Sequence, residues 1–171
     1  MAPDPVDPCA IAAQLHRLPP GHLPKPLFEA VARLVVTSTL VVVPLFRRDG
    51  QTRVVLTRRA SDDPHYAGLL HPPGTVLLAT DESLDAAFAR LLATELSGLA
   101  CASRPVFATP VFDQIARGRE LSLVHYVEVR DSDAAWPSYN GHALPGDVIA
   151  TDVARIHNAC AAFEHAVAPA P

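Results

Sequence analysis

The chain has 171 residues, a formal net charge of −4, 49% hydrophobic and 19% charged residues. That length supports one hydrophobic core and is short for two, and the composition argues against disorder. The acidic balance offers no basic footprint for duplex nucleic acid, so nucleic acid is excluded as a partner at this stage, whereas a small phosphorylated ligand needs only a local cluster.

Residues 1–26 carry seven prolines and form a Pro-rich leader, with a short helix expected from Ala10 to Leu18. The opening MAPDPVDP is acidic rather than basic then apolar, so no signal peptide is expected. Pro26 suits the first turn of a helix whose apolar face would be Leu27, Phe28, Val31, Leu34 and Val35. Two β-branched runs, Thr39 to Phe46 and Thr52 to Arg58, flank Arg47-Arg48-Asp49-Gly50, a hairpin signal.

The segment 61–73, SDDPHYAGLLHPP, reads as a loop. A helix is expected over 83–97, its buried stripe formed by Leu84, Phe88, Leu92 and Leu96. Pro105 to Phe112 and Leu121 to Val129 follow as strands joined by the polar turn DQIARGRE, so that Glu120 precedes a strand. In the second of these, His125 shares a face with apolar neighbours and reads as a satisfied core histidine. Leu144-Pro145-Gly146-Asp147 marks the start of a last helix, continued by Val148, Val153, Ile156, Cys160 and Phe163 to about Ala166. The resulting division is a leader at 1–26, a single domain at 27–166 and a tail at 167–171 that frays.

The run 34–46 is too short to span a bilayer and contains Pro44, so no membrane segment is expected. Cys9, Cys101 and Cys160 fit neither a zinc pattern nor a disulfide framework and read as thiols of a reducing compartment, with cytoplasm as the default. The chain lacks G-x-S-x-G, G-x-x-x-x-G-K-[ST] and G-x-G-x-x-G. The oligomeric state is left open, a homodimer included.

The stretch HPPGTVLLATDESLDAAFARLLATELSG, His71 to Gly98, carries the chemistry. Glu82 and Arg90 are separated by seven residues, and Glu95 follows five after the arginine. With the Pro73-Gly74-Thr75 turn this resembles the Nudix box, G-x5-E-x7-R-E-U-x-E-E-x-G-U with U apolar. The sequence departs from the box in three places. Thr75 replaces the leading glycine, with a spacer to Glu82 one residue longer, and Leu91 and Thr94 replace two of the three helix glutamates.

The resemblance implies an α/β fold, a Nudix-like α/β/α sandwich with a mixed sheet; pattern alone reaches only α/β or α+β. It also implies a site. Positions 91, 94 and 95 share one helix face, where three glutamates would repel one another unless a cation sat among them. With one acid left of three, weak or absent metal binding is expected. Glu82 and Glu95 are the candidate ligands of Mg2+ or Mn2+.

Glu95 and Glu120 are the candidate catalytic acids, Glu120 being the substitute base from a loop. Arg58, Arg59 and His71 are candidates for contacting a phosphorylated substrate, the arginines through their planar donor forks and His71 also as a proton carrier. Gly74 and Arg90 are read as structural members of the motif. Two functions follow: a divalent-metal-dependent pyrophosphohydrolase of nucleotide-like, diphosphate-linked substrates with weak or altered activity, or an inactive module that binds a nucleotide or phosphate ligand.

Overall fold

The computed structural model describes residues 6–130 and 136–167. Two helices precede the first strand, one within the leader and one that starts at its end. In α1 (Pro8–Leu15) the Asp7 side chain accepts the Cys9 N–H at 2.9 Å and proline occupies the first turn, so the helix starts earlier than expected; none of its residues is buried. Next comes α2 (Lys25–Ala32), whose Leu27, Phe28 and Val31 are half-buried and whose Ala32 is buried. Leu34 and Val35 do not join that face: the helix ends at Ala32, and they stand 79% and 52% exposed on the outgoing turn.

Strand β1 (Thr37–Arg48) turns through Asp49 and Gly50, at φ 51° and 75°, into β2 (Gln51–Val55). Both turn residues have positive φ, which is what the Asp-Gly pair supplies. The expected second run is interrupted at Leu56. Beyond it, β3 (Thr57–Arg58) pairs with β4 (Leu70–His71), two residues set inside the expected loop. Then follow β5 (Gly74–Val76), α3 (Leu84–Glu95), β6 (Val106–Ile115), β7 (Gly118–Glu128), β8 (Ser138–Asn140) and α4 (Ala150–Val167).

The main sheet runs β6-β7-β1-β2-β8, with β5 also on β1; β1 and β7 are parallel and the remaining pairs antiparallel. Pro44 falls between the part of β1 paired with β5 and the part paired with β2, where a missing amide costs the ladder least. Alternation along β1 builds both layers of the core. Val41, Val43 and Leu45 pack with Ile156, Ala159, Cys160 and Phe163 of α4, while Leu40, Val42 and Phe46 pack with Ala87, Phe88 and Leu91 of α3. This is a mixed sheet between helices, as expected.

Three local expectations change. The buried face of α3 is Ala87, Phe88 and Leu91, with Leu96 just beyond; Leu84 is 47% exposed. The β6–β7 ladder continues to Ile115 and Gly118, so DQIARGRE is mostly strand and Glu120 lies within β7, opposite Asp113 and Thr37, rather than ahead of it. Residues 144–147 form a turn, and the last helix begins at Ala150. Of the expected tail, 168–171 lie outside the described residues.

At the hairpin tip, Gly118 has φ 145° and a Cβ there would lie 2.3 Å from the Ala32 carbonyl oxygen. Only glycine lets β7 back this closely onto α2. That contact sets the helix against one end of the sheet. Among the described residues no helix is long and apolar enough to cross a membrane, and no disulfide joins the three cysteines.

Candidate ligand cavity

A cavity of about 500 Å³ opens where α2, the loop after β3, the start of β7 and the first turn of α4 meet around β1 and β5. Its floor is a charged cluster built on Arg155, which is 1% exposed. Arg155 Nε donates to Ser122 Oγ at 3.0 Å, Nη1 to the Thr151 carbonyl at 2.6 Å and Asp152 Oδ1 at 3.0 Å, and Nη2 to Glu120 Oε1 at 3.4 Å. Glu120 is buried, and both of its oxygens are engaged. Oε1 also accepts from Ser122 Oγ, and Oε2 accepts from Arg117 Nη2 at 2.8 Å. Arg117 in turn stacks its guanidinium on Phe28 of α2, 5.4 Å from the ring centre.

Asp152 differs from Glu120. One oxygen is bound by Arg155, and the other takes no hydrogen bond from the described residues. Burial pushes its carboxyl up to about 6, against the pull of Arg155, with the nearby Glu120 adding to the rise. The folded protein therefore holds this proton more tightly than the unfolded chain. The stabilisation from Asp152 is full below about pH 4 and is lost as pH rises through about 6.

His71, expected in a loop as a proton carrier, is instead a buried residue of β4. Its Nδ1 lies 2.8 Å from the Pro72 carbonyl oxygen, which can only accept, so Nδ1 carries the hydrogen and Nε2 accepts from Thr57 Oγ1 at 3.3 Å. Burial, and after it the charge of Arg59, lowers its pKa to about 4. The sign is opposite to that of Asp152: the contribution of His71 is full above about pH 6.5 and is lost as pH falls through about 4. We predict that the His71 ring resonance in an NMR titration moves with a midpoint near 4. A midpoint near 6.5 would mean that the ring is solvated and the cavity wall wrongly placed.

The two arginines ahead of the box part company. Arg58 points away, pairing with Asp147 at 2.8 Å and with the Gly68 carbonyl, and does not line the cavity. Arg59 lines it, with Asp63 at 3.7 Å from Nε, too far for a hydrogen bond.

The box residues are mostly architectural. Arg90 clamps Asp81 through two hydrogen bonds, Nε to Oδ1 at 3.0 Å and Nη2 to Oδ2 at 2.7 Å, and reaches Thr75 Oγ1 at 2.7 Å and the Val76 carbonyl at 3.1 Å. It thereby ties α3 to β5, and the threonine that replaces the glycine serves as one of its acceptors. The carboxylate it takes is Asp81; Glu82, the expected metal ligand, is exposed and outside the cavity. A signal for this was present, since the five-residue spacer of the box, counted from Thr75, lands on Asp81.

Gly74 lines the cavity, and a Cβ there would lie 3.3 Å from the Leu40 carbonyl oxygen. Glu95 is half-buried beside it: burial raises its carboxyl, opposed by Arg59 and the Gly74 amide. Leu91 is fully buried in the α3 core, and Thr94 is exposed with its hydroxyl donating back to the Arg90 and Leu91 carbonyls. At the three box positions 91, 94 and 95 the helix thus presents one carboxylate, and among the described residues no group of three His, Cys, Asp or Glu is disposed to hold a metal ion. These residues do not fit the magnesium cage of the box.

The structure brings Glu120, Arg59 and His71 to one cavity, places Glu95 behind its Gly74 wall, and leaves Glu82 and Arg58 outside. His125 is buried between Phe88 and Phe107, both edge-on, with Nδ1 at 3.0 Å from the Leu123 carbonyl oxygen, as expected of a core residue. Asp152, Arg155, Arg117 and Lys25 were missed by sequence reasoning. For Arg155 a sign existed: it stands beside Ile156 and four residues before Ala159, a charge on the apolar stripe of a helix.

No protein-family model matches the sequence, and no curated protein does. Solved structures do. A mutT/nudix family protein from Listeria innocua is 17% identical with a TM-score of 0.55, over 76% of this chain and 95% of that one. The NUDIX domain of Shewanella oneidensis NrtR, complexed with ADP ribose, is 21% identical with a TM-score of 0.52, over 86% and 95%. NrtR complexed with a 27mer DNA gives 20% and 0.51, over 71% of this chain, which spans 59% of that protein's length. The chain has the Nudix fold. The exclusion of nucleic acid drawn from net charge is withdrawn, because a protein containing this fold is found on DNA.

Proposed function

We propose that this Nudix-fold chain binds a small phosphorylated, nucleotide-like ligand in the cavity, without the metal cage of the box. The observation that carries the reading is a set of orphaned polar atoms. Of four buried side-chain nitrogens or oxygens without a hydrogen-bond partner among the described residues, three belong to residues lining the cavity: Thr39 Oγ1, Arg59 Nε and Arg117 Nε. Each such atom costs about 1 to 3 kcal/mol unless something satisfies it, and a small turn of these side chains toward an anionic ligand with several acceptor oxygens would.

Charge agrees with this. Lys25, Arg59, Arg117 and Arg155 line the cavity against Glu120 and Asp152, a positive hollow in a chain of net charge −4. Titrating ADP-ribose calorimetrically into the wild type and Arg59→Gln tests the reading. We expect the variant to bind about 10- to 100-fold more weakly, the worth of a charge-assisted hydrogen bond. Equal affinities would refute the reading.

Hydrolysis of a diphosphate linkage is the second reading, favoured by the placing of Glu95 beside the Gly74 amide and Arg59. Its sign would be product formation that Glu95→Gln abolishes.

A further inference from the structure

Two carboxylates sit on the floor of a hollow otherwise suited to anions, and they are not equivalent. Glu120 is spent: its two oxygens serve Ser122, Arg155 and Arg117. Asp152 lines the cavity with its side chain only 16% exposed, and of its two oxygens only the one held by Arg155 at 3.0 Å takes a hydrogen bond from the described residues. A carboxylate held this way by a buried guanidinium cannot swing out to water, so its open oxygen is a fixed acceptor inside the site.

The chemistry of the group that meets it is narrow. A ligand cation is disfavoured by four cationic side chains lining the same cavity. A second anion would face the carboxylate directly. A neutral donor remains, and because Arg59 and Asp152 line the same cavity, one ligand can present its phosphoryl group to the first and that donor to the second. We infer that Asp152 selects ligands carrying a hydroxyl group next to their phosphoryl group and discriminates against phosphates without hydroxyls. The inference rests on the phosphate-binding reading above and goes further than it.

The two fail differently in one experiment, the binding of ribose 5-phosphate and of n-pentyl phosphate, which has the same number of carbons and no hydroxyl. Wild type is expected to prefer the sugar phosphate by about tenfold or more, because a buried acceptor left unpaired penalises the analogue. In Asp152→Ala the preference disappears, in Asp152→Asn the amide oxygen keeps part of it, and in Arg59→Gln both ligands weaken by the same factor. A preference that survives in Asp152→Ala, or a wild type that binds both alike, overturns the role of Asp152 and leaves phosphate binding intact. Binding of neither ligand at millimolar concentration overturns both.

Discussion

Arg155→Ala is expected to cost about 3 to 5 kcal/mol of folding stability at neutral pH, the usual result of removing one partner from a buried ion cluster. Arg155 is the shared counter-charge of Glu120 and Asp152, and it also donates to Ser122 and the Thr151 carbonyl. Without it, two carboxylates face each other in a site from which water is largely excluded. Arg117 still reaches Glu120, but nothing replaces the guanidinium at Asp152. The repulsion should fade on acidification, so the variant should recover part of its deficit between pH 7 and 5, where wild type changes less. Urea unfolding at the two pH values measures both effects. A deficit below about 1 kcal/mol at pH 7 would mean that the cluster is solvated.

Leu91→Glu is expected to do more damage still, enough to leave the chain largely unfolded. The side chain is 0% exposed among Leu40, Val42, Phe88 and Val127. Truncating such a leucine costs about 2 to 5 kcal/mol by itself, and a glutamate adds an unpaired buried charge, against a total stability of about 5 to 15 kcal/mol. Thr94→Glu, on the exposed side, should change stability by no more than about 0.5 kcal/mol. Circular dichroism melting separates the two variants. If Leu91→Glu folds normally and binds Mg2+ more tightly than wild type, position 91 faces a cation site and the packing of α3 described above is wrong.

The same residues show how far the sequence could be read. Alternation along β1, the Asp-Gly turn and the spacing of Arg90 and Glu95 were enough for the layered fold, because each is a local pattern tied to a fixed backbone geometry. The face of α3 was misjudged because Leu84 and Leu92 repeat as regularly as Phe88 and Leu96. Which leucines are buried is decided by where the sheet lies, and a helix does not record that. Glu82 was preferred to Asp81 on spacing to Arg90, whereas the clamp depends on the reach from the β5 turn. The cavity floor was the least legible part: Asp152 and Arg155 are neighbours on α4, but they meet Glu120 and Ser122 only through the pairing of β7 with β1 and the packing of α4 across it, contacts more than thirty residues apart in the chain.

We propose that ligand recognition in this chain rests on the Arg59, Asp152 and Arg155 cavity rather than on the box helix. The most direct measurement is the dissociation constant of ADP-ribose by calorimetry, taken once in EDTA and once in millimolar Mg2+, with the nucleotide analysed afterwards. We expect the same constant within about twofold and ADP-ribose recovered intact. Binding that appears only with Mg2+, or cleavage that Glu95→Gln abolishes, would contradict it.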